Sequence, residues 1–257
     1  MTDSISFDRA APYYDCTRAF PDDVMERLIP MLTRELPPGE RCLEIGVGTG
    51  RIALPLMREG IRIVGVDIAA EMLRRLIDKA GGSGPPAAIA DATRLPFADG
   101  TFGSAIAAHV LHLIPGWRTA IDEVTRVVRP GGVLVASRGA STRTEWQHQV
   151  RRRFFAEAGD PPWPPGINRI EELDDGMRAR GAAVHELPEL DREDLASIND
   201  LLAALEGGIW SACWALDEAT RQRAATATRE WAGRELGDLD QPRPTLYSSV
   251  WRAYWLP

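Results

Sequence analysis

Nine residues starting at Leu43 limit the fold of this chain more than any other segment. Leu43-Glu44-Ile45-Gly46-Val47-Gly48-Thr49-Gly50-Arg51 runs from an apolar, strand-like stretch into glycines at alternate positions, and then into helical spacing. Glycine there permits positive φ in a tight turn and lets a ligand approach the backbone closely. The region that follows repeats the same plan. Short apolar runs at 42–45, 62–66, 87–90, 102–109 and 133–137 alternate with amphipathic stretches at 51–58, 72–79 and 117–128. That alternation predicts βαβ units around a parallel sheet. Right-handed crossovers then align the carboxyl ends of the strands along one edge, where open α/β sheets bind ligands.

The glycine spacing is GxGxG. A nicotinamide fingerprint needs a glycine three places after its second, and here Gly48 is followed by Thr49, Gly50 and Arg51. A nicotinamide-dependent oxidoreductase is therefore the weaker reading of the same fold. Asp67 directly follows the second strand run, Ile63-Val64-Gly65-Val66. An ionised carboxylate at that place can accept both ribose hydroxyls of an adenosine group, and Asp is equally a favoured N-cap for the helix that begins near Ala69.

On these residues the chain resembles class I S-adenosylmethionine-dependent methyltransferases of the small-molecule type. LEIGVGTGRIALPL is similar to their first motif and VGVDIAAEML to their second-strand motif. Ala90-Asp91-Ala92-Thr93-Arg94-Leu95-Pro96-Phe97 resembles the third-strand motif, and Arg126-Val127-Val128-Arg129-Pro130-Gly131-Gly132 the turn before the fifth strand. The resemblance spans about residues 7 to 138. It implies a doubly wound, mostly parallel seven-stranded sheet of order 3-2-1-4-5-7-6, the last strand antiparallel. It also implies S-adenosylmethionine as cofactor and S-adenosylhomocysteine as product. Carried over by position, Gly46, Gly48 and Gly50 hold the methionine portion with Glu44 beneath it. Asp67 takes the ribose, Ile68 and Met72 lie beside the adenine, and Asp91 with Ala92 faces the adenine edge. Tyr14, in a segment starting at Phe7, matches a lid residue. One departure is Phe102-Gly103, where relatives often have Phe-Asp.

Methyl transfer from a sulfonium is an in-line displacement, so positioning and a dry pocket matter more than any one acid or base. His109, at the carboxyl end of the fourth strand, is the candidate for a catalytic base, or it lines the cofactor site. His112 reads as packing against the following helix. Trp146, Trp163, Trp210 and Trp214 follow the fifth strand and suit either an aromatic or apolar acceptor pocket or plain core. The run Arg151-Arg152-Arg153 reads as a solvated helix face.

The domain reading is a lid and helical segment at 1–36, the cofactor-binding core at 37–140, an acceptor-side cap at 141–240 containing one core strand near 183–187, and a closing strand within 241–257. The cap is expected to be largely helical from 191 to 237, and the closing strand to run from 245 to 255. Thirty Lys and Arg against 37 Asp and Glu, a net charge of -7, argue against a nucleic-acid partner. Neither a basic stripe nor an Asn-Pro-Pro-aromatic motif is present. Three cysteines far apart predict no disulfide and no metal site. No apolar run reaches the length of a membrane span, so a cytoplasmic monomer or homodimer acting on a small molecule is expected. A catalytically silent S-adenosylmethionine-binding protein is the remaining alternative.

Overall fold

A computed structural model describes residues 4–142 and 144–257, so the first three residues of the expected 1–36 segment and Arg143 lie outside the described residues. The chain divides into two compact units. The first holds the chain up to Gly139, Pro165–Leu190 and Val250–Pro257; the second holds Ala140–Pro164 and Asp191–Ser249. In chain order the first unit begins with helices α1 (Tyr14–Arg18) and α2 (Asp22–Glu35), then strand β1 (Arg41–Ile45), α3 (Ala53–Arg58), β2 (Arg62–Asp67) and α4 (Ala70–Ala80). Strands β3 (Ala87–Ile89) and β4 (Phe102–Ala108), helix α5 (Trp117–Val127) and strand β5 (Val128–Ser137) follow. Next come β6 (Ala140–Thr142), α6 (Glu145–Glu157), α7 (Ile170–Arg178), β7 (Ala183–Glu186) and β8 (Leu190–Ala196). Helices α8 (Ile198–Glu206) and α9 (Glu218–Glu235) and strands β9 (Arg243–Ser249) and β10 (Arg252–Trp255) complete the chain.

The large sheet has seven strands in the order β3-β2-β1-β4-β5-β10-β7. Counted along the chain this is 3-2-1-4-5-7-6, as expected from the resemblance. Strand β1 pairs in parallel with β2 and β4, with Leu43 opposite Val64 on one side and Ala105 on the other. Strand β10 runs antiparallel to both β5 and β7. Every residue of β4 is buried, as a central strand covered on both faces requires. Its alternate side chains separate into two cores. Ala105 and Ala107 join Leu43, Ile121 of α5 and Leu173 of α7, while Ile106 and Ala108 join Leu28 of α2, Leu56 of α3 and Trp251. Helix α5 buries Trp117, Ala120, Ile121, Val124 and Val127, the stripe of a helix lying on a sheet.

The departure at Gly103 has a physical reason. A side chain there would run into the Glu40 carboxylate, which accepts hydrogen bonds from Arg129 Nε at 2.8 Å and Arg129 Nη2 at 2.5 Å. Glu40 thus occupies the space that a residue-103 side chain would fill. At the other side of the sheet, Arg252 and Asp174 are both buried, with Arg252 Nε 3.5 Å from Asp174 Oδ2. The Tyr254 hydroxyl donates to Asp174 Oδ1 at 2.8 Å, and burial, aided by this bond, pushes the phenol pKa up. These bonds tie β10 to α7.

Two expectations change. Residues 245–255 are not one closing strand, because β9 ends at Ser249 in a three-stranded sheet of order β6-β9-β8, and β10 restarts at Arg252 in the large sheet. Residues 191–196 are strand and not helix, since β8 finds backbone partners in that small sheet and pairing outweighs a weak local preference. The second unit has its own core of Val150, Phe154, Ile198, Leu202, Leu205 and Ala225. Ser197 and Asp200 cap α8 reciprocally, with Asp200 N donating to Ser197 Oγ at 3.0 Å and Ser197 N to Asp200 Oδ2 at 2.8 Å. Among the described residues no helix is long and apolar enough to cross a membrane.

Replacing Asp174 by Ala leaves Arg252 buried without its buried partner and should cost about 3 kcal/mol of unfolding free energy. Glu186, the exposed partner of Arg252, should cost at most about 1 kcal/mol when replaced by Ala. Urea unfolding midpoints of the two variants test this ranking.

Candidate functional site

Between β1 and α3 the chain turns on three left-handed glycines, Gly46 at φ 67°, Gly48 at φ 55° and Gly50 at φ 77°. The three differ in what surrounds them. A Cβ on Gly46 would lie 2.5 Å from Val110 Cγ2, and one on Gly50 would collide with Leu76 and Leu54. A Cβ on Gly48 would meet only the Met72 methyl at 3.2 Å and Gly46 O at 3.9 Å. The outer two glycines are therefore required by packing inside the protein. The middle one leaves bare backbone facing a cleft.

Asp67, at the end of β2, holds this turn. Its Oδ2 accepts the Gly48 amide and its Oδ1 accepts the Ala69 amide, both at 2.8 Å. Asp67 is thus not the helix cap, since Ala69 is the N-cap residue of α4; its side chain closes an Asx-type turn onto Ala69 at the ligand edge. Burial raises its pKa, and the two amide bonds oppose that shift. The segment before α2 is attached to the same structure. Ile5 N donates to Leu113 O at 3.0 Å, Asp8 Oδ1 accepts the Glu71 amide at 2.8 Å, and Asp15 accepts from Thr49 Oγ1 at 2.6 Å and from Lys79 at 3.0 Å. Asp8 acts as a remote cap for α4. Tyr14 packs edge-on to Phe7 at 6.0 Å, beside Ala69 and Met72.

These elements enclose a cleft of about 660 Å³, its open mouth included. Tyr14, Gly46, Gly48, Asp67, Ile68, Met72, Asp91, Ala92 and His109 all line it. Of the residues assigned to the cofactor from sequence, Glu44 and Gly50 do not. Gly50 packs under α4, and Glu44 is buried beneath the turn with its Oε2 lacking a partner among the described residues. Ile5, Phe7, Val110, Leu113 and Ile114 add apolar wall that sequence reasoning missed. Only the spacing of apolar residues after His109 hinted at the last three. Asp91 keeps its own turn, accepting the Thr93 amide at 2.9 Å.

Arg51 and His109 meet beside the cleft. Arg51 Nη2 lies 3.2 Å from His109 Nδ1, and Arg51 Nη1 donates to Arg18 O at 2.6 Å. The guanidinium also stacks over Phe20 at 4.3 Å. His109 adopts φ 56°, a strained conformation for a non-glycine residue. Burial and the nearby Arg51 hold its pKa well below the ordinary value. His112 is likewise depressed, to about 4, by burial and then by Arg138 and Arg18.

The aromatic and basic residues after the fifth strand lie in the second unit. Trp146 Nε1 donates to Pro244 O at 3.0 Å, and Trp163 is 64% exposed against Phe155. Trp210 and Trp214 flank a 3-10 turn, not a helix, and both pack against the second unit's helices or loops. Arg152 and Arg153 are solvated as expected, but Arg151 folds its guanidinium over Trp210 at 4.6 Å, because that ring offers a face within reach of α6.

Burial raises Glu44 to about 8, Arg51 opposing and Asp67 adding to the shift. Because the folded state keeps a proton that the unfolded chain releases near pH 4.5, wild-type stability should fall as pH rises from about 4.5 through about 8. Glu44→Gln should match wild type at the acid end and exceed it at pH 9 by on the order of 3 to 5 kcal/mol. Denaturant titrations across this range are the measurement.

Residues 43–136 match the methyltransferase domain family. An uncharacterized protein of Mycobacterium tuberculosis is 35% identical over 117 residues, covering 44% of this chain and 43% of that protein. A demethylmenaquinone methyltransferase of Beutenbergia cavernae is 33% identical over 166 residues, 62% of this chain and 59% of the relative. The chain thus spans about half the length of the curated relatives it matches. The solved YcgJ protein of Bacillus subtilis superposes with a TM-score of 0.62 at 16% identity, covering 92% of this chain and 99% of that one. Residues 43–136 thus carry the match to the methyltransferase domain family, and the strand order with this likeness gives the chain the Rossmann-like fold of class I S-adenosylmethionine-dependent methyltransferases.

Proposed function

We propose that this chain is an S-adenosylmethionine-dependent methyltransferase that passes its methyl group directly to a small-molecule acceptor, with S-adenosylhomocysteine as the second product. The observation that carries this reading is the cleft itself, which gathers Gly48, Asp67, Asp91 and His109 from the ends of four different strands. The residues fit such a cofactor. The bare backbone at Gly48 is space that a Cβ would fill, next to a carboxylate and an apolar wall.

In this reading Gly46 and Gly48 hold the methionine portion, Asp67 the ribose, Ile68 and Met72 the adenine faces, and Asp91 with Ala92 the adenine edge. The cofactor supplies an electrophilic methyl on a sulfonium. The protein's contribution is to orient and to dry the site, and Ile5, Phe7, Val110, Leu113 and Ile114 exclude water from the cleft. A relative named for demethylmenaquinone supports an acceptor of small-molecule class. The reading includes a cytoplasmic setting, supported by free thiols at Cys16, Cys42 and Cys213.

Isothermal calorimetry with S-adenosylhomocysteine tests the reading. Wild type should bind, and Asp67→Ala should lose about 1 to 3 kcal/mol, two hydrogen bonds at about 0.5 to 1.5 kcal/mol each. Gly48→Ala should abolish most binding at a stability cost of only about 1 to 2 kcal/mol, that of a Cβ at positive φ, since the Met72 methyl is the one side chain near it. Gly50→Ala, at a similar φ, should lower stability by about 1 to 3 kcal/mol more through overpacking. Absence of binding by wild type, or full affinity in Gly48→Ala, refutes the assignment.

A further inference from the structure

We infer that Arg51 is a positioning residue that fixes His109 as the neutral Nε2–H tautomer, so that His109 offers the cleft a hydrogen-bond donor and not a general base. This rests on the methyltransferase reading for its meaning, but its evidence is separate. A guanidinium carries only donors, so the 3.2 Å approach of Arg51 Nη2 to His109 Nδ1 requires a lone pair on Nδ1. A neutral imidazole must then carry its proton on Nε2. That Nε2 is buried and has no partner among the described residues, while the residue itself lines the cleft. A buried N–H without a partner is costly, and a ligand atom that accepts from it removes the cost.

Both side chains are immobilised for this purpose. Arg51 is anchored by Arg18 O at 2.6 Å and by the Phe20 ring at 4.3 Å. The His109 ring is held edge-on by Phe20 at 5.4 Å and lies 6.3 Å from Trp251, whose side chain is fully buried. Its backbone is kept at φ 56° by the His109 N to Ser137 O bond of 2.9 Å. Strain of this kind is retained where the surroundings over-determine a residue's place.

The charges facing His109 act in the same direction. Arg51 follows β1, Arg18 ends α1, Arg138 follows β5, and His112 lies on the turn after β4; each opposes a positive charge on the ring. To act as a base, His109 would have to receive its proton on Nδ1, giving up Arg51 and creating an imidazolium among three arginines. Taking a proton from the group that receives the methyl is therefore not the part His109 plays. An oxygen on the acceptor suits the Nε2–H.

Nitrogen NMR on the full chain labelled with 15N-histidine tests this, with His109→Gln identifying the resonances. Wild type should show His109 with Nδ1 unprotonated and Nε2 protonated, unchanged from about pH 5.5 to 8, a window in which an ordinary histidine titrates. Arg51→Met should lose the single tautomer, giving a mixture of Nδ1–H and Nε2–H rings that burial, Arg18 and Arg138 still keep uncharged, and Arg51→Lys, which keeps a charged donor, should restore the wild-type pattern. An Nδ1–H tautomer or an imidazolium in wild type at pH 7 overturns the inference, as does an unchanged pattern in Arg51→Met. If the Met variant does not fold, the wild-type and Lys spectra still decide. Calorimetry with S-adenosylhomocysteine on the same wild-type sample separates the two ideas. A fixed Nε2–H without binding refutes the function and leaves the tautomer standing.

Discussion

The Asp67 carboxylate accepts the Gly48 amide on one oxygen and the Ala69 amide on the other, so the glycine turn and the start of α4 share one half-buried carboxylate. A carboxylate with two backbone donors cannot rotate freely, and neither can the loops that supply them. The open face of Gly48 is consequently presented to the cleft in a fixed position relative to the ends of β1 and β2. Preorganisation of this sort spares a ligand the cost of ordering its own site.

Two further carboxylates extend the arrangement to the N-terminal segment. Asp8 caps α4 from outside, and Asp15 joins Thr49 of the turn to Lys79 at the far end of α4. Each bond on the exposed rim is worth little alone. Their value is that they converge on the same helix and turn, so that Phe7 and Tyr14 are set against Met72 and the cleft acquires a wall that the sheet does not supply. Below the turn, burial leaves Glu44 largely protonated at neutral pH, so Arg51 is not fully neutralised there and its charge is felt at His109.

Much of this was legible in the residues. Strand positions follow from apolar runs, and GxGxG with Asp67 marks the cleft in the sequence itself, because a tight positive-φ turn admits few residue types. The second unit was less legible. The acidic run from Leu190 to Ala196 has no apolar alternation, and its strand exists only through pairing at a distance in sequence. The break after Ser249 was hidden for the same reason, as both halves alternate and only the choice of sheet separates them.

By itself the sequence determined the fold class, the order of the strands through its likeness to a family, and the residues at the carboxyl edge, since periodicity and glycine stereochemistry act locally. Only the tertiary structure decided that packing forbids a side chain at Gly46 and Gly50 while Gly48, which lines the cleft with Gly46, has room beside it, that Glu40 fills the space beside Gly103, and that Arg51 takes the Nδ1 of His109. Those outcomes depend on which side chains from distant segments meet, and a single chain of letters carries no record of the distance between them.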